Sequence, residues 1–219
     1  MKKTLLMTTL ISGLCFSLQA APCATDKLSA YTTSGFSCTI GDLDFSNFSY
    51  HPTGANTPTA GDVEVDPTTI GTESGFEFFA GWSALTGKVQ DSAIKYTVTC
   101  DGCSITDLVL SMEGEGASGD SIVNIAESSG GVEPPLLIGE SSTTLISSAS
   151  ETFAPVGTLN LTKDILLNGG TTGFGSAVSE VDNFFSTTTR TTMTPEPSLM
   201  FLCAGVLFVL PVARKMRRA

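Results

Sequence analysis

The middle of this chain reads as an all-β domain, an antiparallel β-sandwich or jelly roll. Three observations point there. Short runs of alternating apolar and polar residues recur, Gly and Pro breakers fall between them, and Ser, Thr and Gly abound. Many short strands separated by turn signals are what a two-sheet all-β fold requires.

The runs follow one another along the chain. Val63 and Val65 alternate with Asp62, Glu64 and Asp66, and Pro67 is expected to stop that run. Phe76 and Phe78 flank Glu77, and the segment continues to Trp82. Ile94, Tyr96 and Val98 alternate with Lys95, Thr97 and Thr99. Leu108 and Leu110 alternate with Val109 and Ser111, and stretches at 122–126 and 159–161 look similar. Residues 161–167 fit either a strand or a helical turn. Val178, Val181, Phe184 and Phe185 have mixed spacing and are read as a final strand. Breakers are Gly114-Glu115-Gly116, Gly130-Gly131, Pro134-Pro135 and Gly169-Gly170. The expected core combines Phe45, Phe48, Phe76, Phe78, Trp82 and Ile94 with Tyr96, Val98, Leu108, Leu110, Leu159 and Leu161.

Both ends differ in kind from the middle. Residues 1–20 read as a secretory signal peptide: Lys2 and Lys3 supply the positive start, 5–18 is mostly apolar, and Ala20 offers the small residue that signal peptidase prefers. A cut one residue later would put Pro22 first in the mature chain. At the other end Pro195-Glu196-Pro197 precedes a 15-residue apolar run, 199–213, and then the basic cluster Arg214, Lys215, Arg217 and Arg218. The paired prolines keep the backbone extended and accessible. The apolar run enters a bilayer as a transmembrane helix, and the basic cluster stays in the cytoplasm. The run is shorter than the ~20 residues of a straight spanning helix, and Pro211 interrupts it; snorkelling and bilayer thinning accommodate this. The expected organisation is a signal peptide over 1–20, an exported domain over 21–185, a Thr-rich linker over 186–194 and a sorting segment over 195–219.

The motif Pro195-Glu196-Pro197, its apolar run and the terminal Arg/Lys cluster resemble the PEP-CTERM sorting signal of Gram-negative bacteria. The resemblance implies recognition by an exosortase, a membrane-embedded enzyme, and an association with exopolysaccharide, biofilm and surface display. It implies a membrane-anchored precursor destined for the cell envelope or extracellular matrix. The stretch from Ile40-Gly41-Asp42 through Phe45-Ser46-Asn47-Phe48-Ser49-Tyr50, followed by Phe76 to Trp82, also resembles exported PEP-CTERM proteins. That likeness carries no known active residues.

Charge narrows the function classes. The chain holds 22 acidic and 11 basic residues, and between the two terminal segments 21 acids face five bases. Such a surface repels phosphate backbones, so nucleic acid is not an expected partner. Cys15 falls in the signal and Cys203 in the apolar tail, which leaves Cys23, Cys38, Cys100 and Cys103. An even count in an oxidising compartment predicts two disulfides with three possible connectivities. Local pairing, Cys23 with Cys38 and Cys100 with Cys103, is the economical one. Asp101-Gly102 between the latter two predicts a tight turn.

No catalytic grouping is evident. His51 is the lone imidazole, no nucleophile elbow or Ser-His-Asp order occurs, and no phosphate loop follows a strand. Asp62, Glu64 and Asp66, and likewise Glu113 and Glu115, read as solvated strand faces rather than glycosidase pairs. No cofactor is expected. The Cys100–Cys103 spacing lacks the further ligands that a zinc site needs, and calcium is the softer alternative, through Asp62, Glu64 and Asp66 with Asp101 and Asp107. The leading expectation is a non-enzymatic surface or matrix protein. The alternative is a carbohydrate-binding module, for which Trp82 with Tyr50 or Tyr96 would stack on a sugar ring; burial of Trp82 would remove its best residue.

Overall fold

A computed structural model describes residues 20–130 and 132–189. The signal segment up to residue 19, the sorting motif, the apolar run and the basic cluster lie outside the described residues. No helix among those described is long and apolar enough to cross a membrane.

The chain runs β1 (Ala21–Pro22), β2 (Asp26–Lys27), one helical turn α1 (Leu28–Tyr31), β3 (Ser37–Ile40), β4 (Leu43–Gly54), β5 (Glu64–Ile70), β6 (Glu73–Ala84) and β7 (Val89–Cys100). It continues through β8 (Cys103–Glu113), β9 (Gly116–Ala117), β10 (Ile122–Ser129), β11 (Val132–Ser141), β12 (Thr144–Ile146), β13 (Ser148–Val156), β14 (Thr158–Asn168) and β15 (Ser176–Thr189). Among the described residues these strands form two sheets. The first has the order β1-β3-β4-β7-β14-β10-β11-β12, and the second β13-β8-β15-β6-β5-β2, with β9 paired to β15. The β1–β3 ladder is parallel, and the other pairs are antiparallel. The all-β expectation holds.

The alternating runs explain this architecture. Along β7 every second residue from Gln90 to Cys100 is buried, and Asp91, Lys95, Thr97 and Thr99 take the other face. All twelve residues expected in the core are buried. Burying large aliphatic and aromatic side chains against a second sheet stabilises each by roughly 1.5–3 kcal/mol. The stretch left open at 161–167 is strand, because β14 alternates without interruption beside β7 and β10.

Two irregularities reconcile spacings that strict alternation does not explain. In β4 the ladder to β7 shifts register between Ser46 and Ser49. Asn47 adopts φ 58° there, a conformation Asn tolerates better than most residues. The bulge lets Phe45 and Phe48, three apart, both reach the interior. In β15 the ladder to β6 shifts between Val178 and Glu180, so Val178 and Val181 are both buried. That is the source of the mixed spacing.

Three boundaries differ from expectation. Pro67 does not end its strand: β5 continues to Ile70, with Pro67 opposite Phe76. Its other neighbour, β2, pairs only at Val65 and Glu64, so Pro67 lies where the strand's second edge needs no amide donor. Pro134-Pro135 lies within β11, where the pairing to β10 is irregular between Ser129 and Glu127. The first residues of the linker expected over 186–194 are strand instead, since Ser186–Thr189 complete β15 and pair with Asp107, Ile105, Ser104 and Cys103; the remainder lies outside the described residues. β-branched threonines suit a strand as well as a stalk.

Candidate functional site

The residues proposed for sugar stacking are where the structure departs most from expectation. Trp82 is fully buried and Tyr96 is 2% exposed, so neither can offer a ring face to a ligand. The reason is parity. Both occupy inward positions of strands that line the inter-sheet core. Tyr50 is partly buried, and its hydroxyl is committed to the carbonyl of Pro58 (2.8 Å) and to Ser92 Oγ (3.0 Å). Trp82, Tyr50 and Tyr96 therefore do not form a sugar-stacking platform.

The cysteines pair locally. Cys23 joins Cys38, holding the segment after β1 against β3, and Cys100 joins Cys103. The Asp101-Gly102 turn is not a hairpin within one sheet. It carries the chain from β7 in the first sheet to β8 in the second, and Gly102 supplies the left-handed φ of 73°.

Of the carboxylates considered for calcium, those of Asp62, Glu64 and Asp66 are engaged elsewhere, and Asp107 accepts from the Ser186 amide at 2.9 Å. Asp62 accepts from the amide and hydroxyl of Thr59, which hold its carboxyl below the usual range. Glu64 pairs with Lys27 at 3.2 Å, and Asp66 accepts from Thr25 at 2.6 Å. Among the described residues no three His, Cys, Asp or Glu side chains gather as a metal site.

The structure assembles three further groupings. On the outer face of the second sheet, Asp182 lies between Glu77 and Ser111, and Glu180 lies opposite Glu113. Asp66 faces Glu77 from β5. Burial and the surrounding carboxylates of Asp182, Glu113 and Glu77 push Glu180 up to about 7. Burial is likewise the main cause of the raised Asp182 and Glu77 carboxyls. At the far edge of the first sheet a shallow groove of about 280 Å³ is lined by Ile122, Asn124, Leu137, Gly139, Thr144 and Ile146 among others. Its walls mix aliphatic with polar side chains and carry no ring.

The third grouping is wholly internal. Lys163 on β14 and Glu127 on β10 stand opposite each other in the first sheet, and both side chains point inward with no exposed surface. Lys163 Nζ donates to Glu127 Oε2 at 2.8 Å and to the carbonyl of Asp182 at 3.4 Å. From the second sheet, Asn183 Nδ2 donates to Glu127 Oε1 and Oε2 at 2.8 and 2.7 Å. Tyr96 donates its hydroxyl to Asn183 Oδ1 at 2.9 Å. Phe48 stacks on Tyr96 with ring centroids 5.2 Å apart, and Phe45, Phe76 and Phe78 surround the same ring. Burial lowers the Lys163 ammonium pKa, and Glu127 works against that shift.

Nothing singled out Glu127, Lys163 or Asn183 in the sequence reading, yet a signal existed. Lys163 interrupts the inward series Leu159, Leu161, Ile165 and Leu167, and Glu127 continues the inward series Val123 and Ile125. A charge at an apolar parity position must be paired within the core.

No protein-family model matches this chain, and no curated protein matches it. Among solved structures, the enzymatically active domain of tailspike protein 4 from bacteriophage CBA120 is 10% identical. It matches over 65% of this chain and 20% of its own, with a TM-score of 0.29. The carbohydrate-binding module TmCBM61, solved with β-1,4-galactotriose, is 9% identical over 64% of this chain and 88% of its own, with a TM-score of 0.27. Exo-β-1,3-galactanase from Phanerochaete chrysosporium is 10% identical over 53% and 30%, with a TM-score of 0.24. The chain thus spans about a fifth of the tailspike's length. Likeness at these scores carries no argument about ligand or activity.

Proposed function

We propose that this chain is an exported surface or extracellular-matrix protein, sorted by an exosortase through Pro195-Glu196-Pro197, with a structural or interaction role in envelope, biofilm or exopolysaccharide. The observation that carries the reading is the layout around β15. This strand lies between β8 and β6 in the second sheet and ends at Thr189, with five residues between it and Pro195. A processing sequence hung directly from an interior strand lets a membrane enzyme handle the tail while the domain stays folded. The two disulfides fit an oxidising compartment. Signal peptidase and the exosortase are the processing partners, and the membrane is the transient anchor.

The test is fractionation and intact mass in a Gram-negative host with and without its exosortase. The mature chain is expected in envelope or matrix, shortened at both ends, and Glu196→Ala should retain the tail. Full-length chain in the cytoplasm of the exosortase-positive host would overturn the proposal.

A second reading, a carbohydrate-binding module, is favoured by one specific surface. On the outer face of the first sheet, Ser46, Thr97 and Asn160 form one cross-strand row and Asp44, Thr99 and Thr158 another. Thr97 donates to Asn160 Oδ1 at 2.9 Å. A plane of hydroxyl, amide and carboxylate groups suits an extended polysaccharide rather than a stacked single ring. Retention on immobilised exopolysaccharide, lost in Thr97→Val with Asn160→Ala, would support this reading. Equal retention of the double variant would dismiss it.

A further inference from the structure

The buried grouping of Lys163, Glu127, Asn183 and Tyr96 has the parts of a condensation reaction. Its two nitrogens, Lys163 Nζ and Asn183 Nδ2, converge on the same oxygen, Glu127 Oε2, at 2.8 and 2.7 Å. Asn183 offers an amide carbon whose oxygen already accepts a hydrogen bond from a phenol. Lys163, Glu127 and Asn183 have no exposed side-chain surface, and the three residues arrive from strands of both sheets. We propose that Lys163 and Asn183 form an intramolecular isopeptide bond, with Glu127 as the proton carrier, cross-linking the two sheets of the sandwich.

The step balances without any outside reactant. Desolvation favours the neutral members of a buried ion pair, so a proton passes from Lys163 Nζ to Glu127. The freed lone pair on Nζ attacks Asn183 Cγ, forming the Nζ–Cγ bond. Negative charge developing on Oδ1 is held by the Tyr96 hydroxyl. Burial raises the Tyr96 phenol well above its ordinary value, which keeps it a donor. Glu127 delivers its proton to Nδ2, the Cγ–Nδ2 bond breaks, and ammonia leaves. A proton is then removed from Nζ and rests on Glu127. Nothing is oxidised or reduced. Holding nucleophile, electrophile and acid–base group together in one place supplies the entropic part of the acceleration. Each molecule reacts once.

Glu127 is also satisfied as an ordinary counter-ion, so the bond must be sought directly. The full chain, exported into the periplasm, is reduced, alkylated and digested with trypsin. The sequence has no Lys or Arg between residues 96 and 162, or between 164 and 189. An acylated Lys163 resists trypsin, so the expected product is one peptide, 96–190, lighter by one ammonia. Chymotryptic cutting after Phe174, which is 91% exposed, should leave the two halves joined. Glu127→Gln should restore cleavage after Lys163 and give 96–163 and 164–190 at full mass. Wild-type chain giving those two separate peptides unmodified would overturn the bond, whether or not the variant folds. Undiminished linkage in Glu127→Gln would overturn the role of Glu127.

Discussion

The phenol of Tyr96, on β7 of one sheet, donates to the carboxamide oxygen of Asn183, on β15 of the other, across 2.9 Å. The two side chains are 2% and 0% exposed, so neither can exchange this bond for one to water. Removing the hydroxyl leaves a buried acceptor unsatisfied, at a cost of about 1–3 kcal/mol. Tyr96→Phe keeps the ring and its stacking on Phe48, so packing loss should be small. Urea denaturation is expected to show a lowered midpoint with an unchanged slope. The direction is the same whether Asn183 carries a free amide or an isopeptide, because Oδ1 accepts in both.

Lys163 and Glu127 should be strongly non-additive. Neither single variant can form the cross-link, and each leaves the other charge stranded in the core, at roughly 3–5 kcal/mol. Lys163→Met and Glu127→Leu are each expected to fall in that range or below the limit of folding. The double variant, which strands no charge, should be more stable than either single one. A double-mutant cycle by denaturant midpoint reads this directly. Additive losses would show that the two side chains act independently.

Glu180 on the acidic face of the second sheet and Asp164 on β14 of the first give stability an unusual pH slope. Glu180 is pushed up to about 7 by burial and by Asp182, Glu113 and Glu77, and Asp164 up to about 6 by burial and by Asp91. Between the unfolded carboxyl value and these raised values the folded chain binds more protons than the unfolded one, so stability falls as pH rises. Asp120 has the opposite sign. Four hydrogen bonds from Thr171 and Thr172 hold it below the ordinary range, so its contribution is lost as the medium becomes more acidic than that range. Thermal midpoints should therefore peak in mildly acidic buffer and decline towards pH 7–8. Glu180→Gln should flatten the decline on the neutral side and leave the acid side unchanged.

Much of this fold was legible because the strands bury one face each. Alternation at Ile94, Tyr96 and Val98 identified both the strand and its inward side. Less legible were features that depend on which strands meet. Asp101-Gly102 has the sequence of a hairpin turn, yet it crosses between sheets. Pro67 looks like a stop only until the free edge beside it is known. The site was the least legible part. Trp82 and Tyr96 have the chemistry of sugar platforms, and only the pairing of sheets decides that they face inward. Glu127, Lys163 and Asn183 are distant in sequence, and the charges of Glu127 and Lys163, like the amide of Asn183, look like solvent-facing groups until parity places them inside.

The two disulfides should differ in weight. Cys23–Cys38 spans a sequence separation of 15 and Cys100–Cys103 one of 3. In the chain-entropy account the loop closed in the unfolded state sets the gain, about 3 kcal/mol for the longer and about 1.6 kcal/mol for the shorter. The longer also fixes a segment with little other support, since β1 and β2 are two residues each. Tyr31 docks there through its hydroxyl to Ala24 and its ring to Phe36 and Phe48. Replacing Cys23 and Cys38 by Ser should lower the denaturant midpoint more than replacing Cys100 and Cys103. It should also speed hydrogen exchange around residues 21–40 selectively. An equal or smaller loss than at the Asp101-Gly102 turn would show that the turn disulfide, at the crossing between sheets, governs how the sandwich closes.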